Sequence, residues 1–282
     1  MGRSLILACC CAACSFQLPP PGSGGDDSGV PMPGDRDGDG VPDESDLCPD
    51  LADKDQRDYD RDGFGDACDK CPHIATTANV DGDTDGVGDE CDPAPDAAGD
   101  SIALWVDFKG DPAAIAGWTQ SGSWTVDGEF LSGADLDAID LVRIPLDLPR
   151  ASMATRMRID TAGGGGAGVW VRSGVQGEIE QSNGQQAYQC GLIIASGNVE
   201  AKTITNGTNL DDNTITWPGP LADGTTIDIA MRVTDMLECT LSPPATSPPP
   251  AGVGTSTAGK LEILTARTRA SFDYLFVVRS GS

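Results

Sequence analysis

The sequence has little histidine, little positive charge, few aromatics and no long apolar run. His73 is the only histidine among 282 residues. A Ser-His-Asp or Cys-His mechanism is therefore excluded from the region downstream of it, as is a histidine-ligated zinc site. Eighteen Lys and Arg face 44 Asp and Glu, giving a formal charge of −26. Such a field repels polyanions, which argues against nucleic acid and anionic membrane surfaces as partners. Past the N-terminus no segment approaches the ~20 apolar residues that span a bilayer, so the expected membrane contact is a lipid anchor only. No stretch sustains a helical period.

What is present is unevenly distributed. Residues 35–92 hold 20 of the 44 acidic residues and only five Lys or Arg. A block of this kind either stays extended or is neutralised by bound cations. Cysteine is also partitioned. Cys9, Cys10, Cys11 and Cys14 crowd the N-terminus, whereas Cys48, Cys68, Cys71, Cys91, Cys190 and Cys239 form an even set of six, as expected for disulfides in an oxidising compartment.

Residues 1–14 combine a basic start (MGR), a short apolar core (SLILACCCAA) and small residues before Cys14, the pattern of an export signal. CAAC ending at Cys14 resembles a bacterial lipoprotein signal, which implies lipidation of Cys14 and an outer-membrane or cell-surface location. Cys11 stands where that family has leucine. Ordinary cleavage and secretion is the alternative. Residues 15–34 are mostly Pro, Gly, Ser and Asp, with almost nothing to bury, and read as a linker.

From Asp35 a repeat appears. DRDGDGVPDESDLCPD, DYDRDGFGDACDKCPH and DGDTDGVGDECDPAPD begin at Asp35, Asp58 and Asp81, 23 residues apart. Positions one, three, five, nine and twelve are aspartate in every unit: Asp35, Asp37, Asp39, Asp43 and Asp46; Asp58, Asp60, Asp62, Asp66 and Asp69; Asp81, Asp83, Asp85, Asp89 and Asp92. Five carboxylates in twelve residues repel one another unless a cation lies among them. Calcium suits such a set, since it prefers six to eight oxygens and accepts a backbone carbonyl. Val41, Phe64 and Val87 at position seven would supply that carbonyl. Glycine at position six allows a left-handed turn. An EF-hand is excluded, because it needs glutamate at position twelve and flanking helices, and Pro42, Pro49 and Pro72 oppose helices.

The cysteines suggest how units join. Cys48 and Cys71 occupy position fourteen of the first two units, and Cys68 and Cys91 position eleven of the last two. Ser45 and Ala94 stand where the terminal units would have no neighbour to join. Position fourteen is thus expected to bridge to position eleven of the next unit, as Cys48–Cys68 and Cys71–Cys91. With these spacings, residues 35–94 resemble thrombospondin type-3 repeats, which implies calcium-loaded, disulfide-linked modules without regular secondary structure. HIATTANV, between units two and three, lacks that family's usual glutamine, present before unit two as Gln56.

Residues 100–282 change texture. ALWVDF, GSWTV, ASMATRMRI, AGVWVRS, AYQCGLIIA, TIDIAMRV, KLEILTA and SFDYLFVV read as short strands separated by Gly, Asn, Asp and Pro. The expected fold class is mainly β, an irregular repeat array followed by an antiparallel β-sandwich or jelly roll. GWTQSGSWTVDGEFLSG and the terminal ASFDYLFVV are similar to concanavalin-like, laminin-G-like jelly rolls. In thrombospondins such a domain follows the repeats and packs on them. Cys190 and Cys239 are expected to pair.

Glu178 and Glu180 in GEIEQ would share a strand face and are a weak candidate pair for glycoside hydrolysis. Gly163 to Gly166 lacks a Gly-Lys-Ser/Thr ending and reads as a turn. Trp105 and Trp170 lie in strand-like runs and are expected in the core; Trp118, Trp124 and Trp217 are better placed to stack on sugars. The combined expectation is an exported calcium-binding protein whose sandwich binds an extracellular glycan or an envelope protein. A glycan-active hydrolase and a purely structural envelope component are the alternatives.

Overall fold

The computed structural model describes residues 34–111, 113–133, 139–148, 150–161, 172–181, 184–193, 198–205, 208–218, 222–234, 236–243, 245–252, 260–266 and 268–281. Cys14 and Trp170 lie outside them. Among the described residues there are strands and turns but no helix.

The sandwich begins with β1 (Ser101–Asp107), and short strands β2 (Thr119–Ser121), β3 (Trp124–Val126) and β4 (Leu131–Gly133) follow. The long strands are β5 (Ile139–Asp147), β6 (Ala151–Thr161), β7 (Arg172–Gln181), β8 (Gly184–Ile193), β9 (Asn198–Thr205) and β10 (Thr208–Thr216). The chain closes with β11 (Thr226–Val233), β12 (Met236–Ser242), β13 (Ala251–Gly252), β14 (Lys260–Ala266), β15 (Arg269–Phe272) and β16 (Tyr274–Arg279). Seven strands form one antiparallel sheet in the order β10-β9-β8-β7-β14-β5-β2. The other sheet runs β13-β12-β11-β6-β15-β4-β3, with β16 also on β6 and β1 on β16.

Period-two patterning puts one face of each strand into the core. In β11, Ile227, Ile229, Met231 and Val233 are buried while their neighbours alternate outward. They meet Met153, Met157 and Ile159 of β6, Phe272 of β15 and Leu131 of β4 in one cluster. Cys190 of β8 is bonded to Cys239 of β12, so this disulfide staples the two sheets.

The terminal segment SFDYLFVV is two strands, not one. It breaks at Asp273, whose N–H bonds Arg156 O at 2.9 Å, and β15 and β16 share different parts of β6. In β16 five successive residues are buried. Leu275 and Val277 enter the main core. Tyr274, Phe276 and Val278 form a second cluster with Val87, Tyr59 and Cys91 of the repeat array and with Ile102 and Trp105 of β1. A strand that reads as continuously apolar is one covered on both faces, and here the array is the second cover.

The tryptophan expectations are partly overturned. Trp124 and Trp217 are buried in the core, Trp124 against Phe272 at 6.1 Å, so neither is a surface platform for a sugar. Trp105 belongs to the array contact and not to the main core.

Candidate metal centres and adjoining cleft

Each repeat loop is built from its own carboxylates. Position one caps the turn: Asp35 Oδ1 accepts from Gly38 N at 2.8 Å and Oδ2 from Gly40 N at 3.1 Å. Asp58 and Asp81 do the same for Arg61 and Gly63, and for Thr84 and Gly86. These bonds require left-handed backbone at positions four and six. The former is Gly38, Arg61 and Thr84 with φ of 82°, 65° and 68°. Position five points outward with one oxygen, which accepts the N–H fourteen residues on: Asp39 from Asp53, Asp62 from Thr76, Asp85 from Gly99.

The turns converge the acids. Ligand oxygens of Asp35, Asp37 and Asp39 lie within 4.8 Å of one another, as do those of Asp58, Asp60 and Asp62, and of Asp81, Asp83 and Asp85. Within these loops Oδ2 of Asp37, Asp60 and Asp83 is buried with no hydrogen-bond partner, and so is Oδ2 of Asp46 and Asp92 at position twelve. Among the described residues no backbone hydrogen bond uses the carbonyls of Val41, Phe64 or Val87. Orphaned buried carboxylate oxygens are costly unless an ion satisfies them. Burial, with Asp62, Asp69 and Asp58 nearby, pushes Asp60 up to about 7. Burial is also the main cause that carries Asp69 and Asp92 up to about 6. The donor set is all hard oxygen, which fits a divalent cation such as calcium.

Position nine is placed differently. Asp43, Asp66 and Asp89 each accept the N–H of position two, from Arg36, Tyr59 and Gly82, and stand outside the three-carboxylate groups.

The units are bonded in series, Cys48 to Cys68 and Cys71 to Cys91. Position eight explains the fit. A Cβ on Gly65 would lie 2.7 Å from Cys48 Sγ, and one on Gly88 2.7 Å from Cys71 Sγ. Their N–H groups donate to Leu47 O and Lys70 O of the preceding unit, both at 3.1 Å. The first unit, with no predecessor, has Pro42 there, a residue without an N–H. The missing glutamine is likewise replaced. Gln56 Oε1 accepts from Leu47 N, and in register Asn79 Oδ1 accepts from Lys70 N at 3.0 Å. The shorter Asn79 donates to Cys68 O, whereas Gln56 reaches Asp46.

The array docks through Tyr59 and His73. Tyr59 Oη donates to Asp273 Oδ2 at 2.6 Å, and its ring lies under Lys109 Nζ at 4.2 Å. His73 stacks on Phe276 at 4.4 Å, and Arg57 is ion-paired with Asp107. A cleft of about 430 Å³ opens beside this joint, with Asp53, Asp55, Arg57 and Asp66 on the array side and Trp105, Asp107, Asp111 and Trp118 on the sandwich side. Trp118 is held by a loop whose Phe108 and Ile115 are anchored in the core. Glu178 and Glu180 fall in β7.

Residues 33–56 match the thrombospondin type 3 repeat family model. Units two and three repeat the loop hydrogen bonds of the first unit in register. A search of curated proteins finds no match. Among solved structures, the chain is similar to the carbohydrate binding module CBM66 from Bacillus subtilis, with 13% identity, TM-score 0.42, and coverage of 56% of this chain and 92% of that one. It is similar to lectin II from Ulex europaeus at 10% identity and TM-score 0.44, covering 64% and 100%. The kappa-carrageenase from Pseudoalteromonas carrageenovora is similar at 10% identity and TM-score 0.48, covering 67% and 99%.

Proposed function

We propose that this is an exported calcium-binding protein in which a calcium-stiffened array presents a β-sandwich that binds a glycan. Export and tethering through Cys14 rest on the N-terminal signal pattern. The observation that carries the binding reading is the cleft at the joint, where Trp105 and Trp118 stand among carboxylates. Aromatic faces stack on the apolar faces of sugars, and carboxylates accept from their hydroxyls. Five aspartates against one arginine line it, which favours neutral over anionic saccharides. One wall belongs to the calcium-binding array, so binding should require calcium.

A glycan array probed with and without calcium tests this. Neutral oligosaccharides should be retained with calcium, and lost on chelation or in Trp118→Ala. Retention of no glycan, or unchanged retention by Trp118→Ala, refutes it. A hydrolase reading falls on the half-buried Asp66 and the buried Asp107, both carboxyls raised mainly by burial, Asp66 further by Asp107 and Asp107 further by Asp273. Both already have structural partners, Tyr59 N for Asp66 and Arg57 for Asp107. Sugar release by the native chain that is lost in Asp66→Asn would establish it.

A further inference from the structure

The third unit differs from the others at its twentieth position, which is Lys54 in the first, Thr77 in the second and Asp100 in the third. Asp100 stands immediately before β1 and is 6% exposed. Its N–H donates to Asp85 Oδ2 at 2.7 Å, and its Oδ1 accepts from Gly281 N at 2.6 Å. Its Oδ2 is buried with no partner, and so is Oδ2 of Asp92 in the same loop. The two carboxyls lie within hydrogen-bonding reach of one another. When both are ionised they are acceptors only, and neither can satisfy the other. The arrangement needs a positive charge between them.

We propose that Asp100 Oδ2 is a further ligand of the divalent cation in the third loop, acting with Asp92, so that this ion ties the array to the sandwich. The proposal rests on reading the loops as calcium sites. It adds a ligand from the residue that leads into the sandwich's first strand, at a repeat position where the other units have Lys54 and Thr77. Through Gly281 the same side chain holds the end of β16, the partner of β1. The junction has no slack, since a Cβ on Gly281 would lie 2.8 Å from Gly99 C. Occupancy of the third loop is thereby linked to the stability of the terminal strand pair, whereas the first two loops lack such a carboxylate.

Asp100→Asn isolates the charge, because its amide keeps an acceptor for Gly281 and gives Asp92 a donor. The whole disulfide-bonded chain is titrated with calcium by calorimetry and, in parallel, melted with and without calcium. One class of site should weaken roughly tenfold or more. The calcium-induced rise in Tm should shrink, while the metal-free Tm stays level or rises. Glu90→Gln, which removes an exposed charge from the same unit, should change affinity less than about twofold. A native isotherm for Asp100→Asn, or an equal loss in Glu90→Gln, overturns the proposal while leaving the loop sites standing. Absence of calcium binding by the native chain overturns both.

Discussion

Acidification should undock the array through His73. The imidazole sits against Phe276, Tyr274 and Trp105 with Nδ1 buried and unpartnered. Burial, reinforced by the charge of Arg156, holds its pKa down to about 3. An undocked or unfolded chain exposes it with the ordinary value of about 6.5. Between these limits the open state binds a proton that the docked state refuses, so stability rises with pH and is lost as pH falls below 6.5. From pH 7 to pH 5 the loss is about 2 kcal/mol, or about 4–8 °C in Tm for a chain of this size. The melt is followed by tryptophan emission, since Trp105 lies in the contact. Saturating calcium is essential. Without it, Asp60, Asp69 and Asp92, with pKa values raised to about 7, 6 and 6, take up protons in the folded state and mask the effect with the opposite sign. His73→Phe keeps a ring in place and removes the titration. Parallel Tm–pH curves for the native chain and His73→Phe would refute the reasoning.

Chelation of calcium should expand the array and open it to protease, with small-angle scattering and limited proteolysis as readouts, because orphaned carboxylates then repel. Gly65→Ala should cost about 1–3 kcal/mol, since its Cβ would overlap Cys48 Sγ; faster reduction of Cys48–Cys68 is the check. Thr84→Asn should slow proteolysis of the metal-free array, because a β-branched residue at φ 68° is strained and asparagine tolerates that region. Replacing Cys190 and Cys239 by alanine should lower stability by about 4 kcal/mol, the chain-entropy expectation for a separation of 49 residues, measured by denaturant unfolding.

The sequence by itself determined whatever depends on local spacing. Aspartates at positions one, three and five must converge once positions four and six turn left-handed, and a 23-residue period repeats that geometry wherever the sequence repeats. The same holds for strands such as β11, where alternation names the buried face. Position eight was also readable, since glycine gives way to Pro42 where no earlier unit needs an N–H; Asn79 in the place of Gln56 was a second such signal. Other features depend on what a remote segment covers. Trp124 and Trp217 look exposed beside Gly, Ser and Pro, yet long-range packing buries them. Local patterning treats β16 as one apolar run, and only the docked array divides its residues between two clusters. Asp100 holds the twentieth repeat position, where the other units have Lys54 and Thr77, so no recurring residue marks it. The bond it accepts from Gly281, at the far end of the chain, is a long-range contact that no spacing rule encodes.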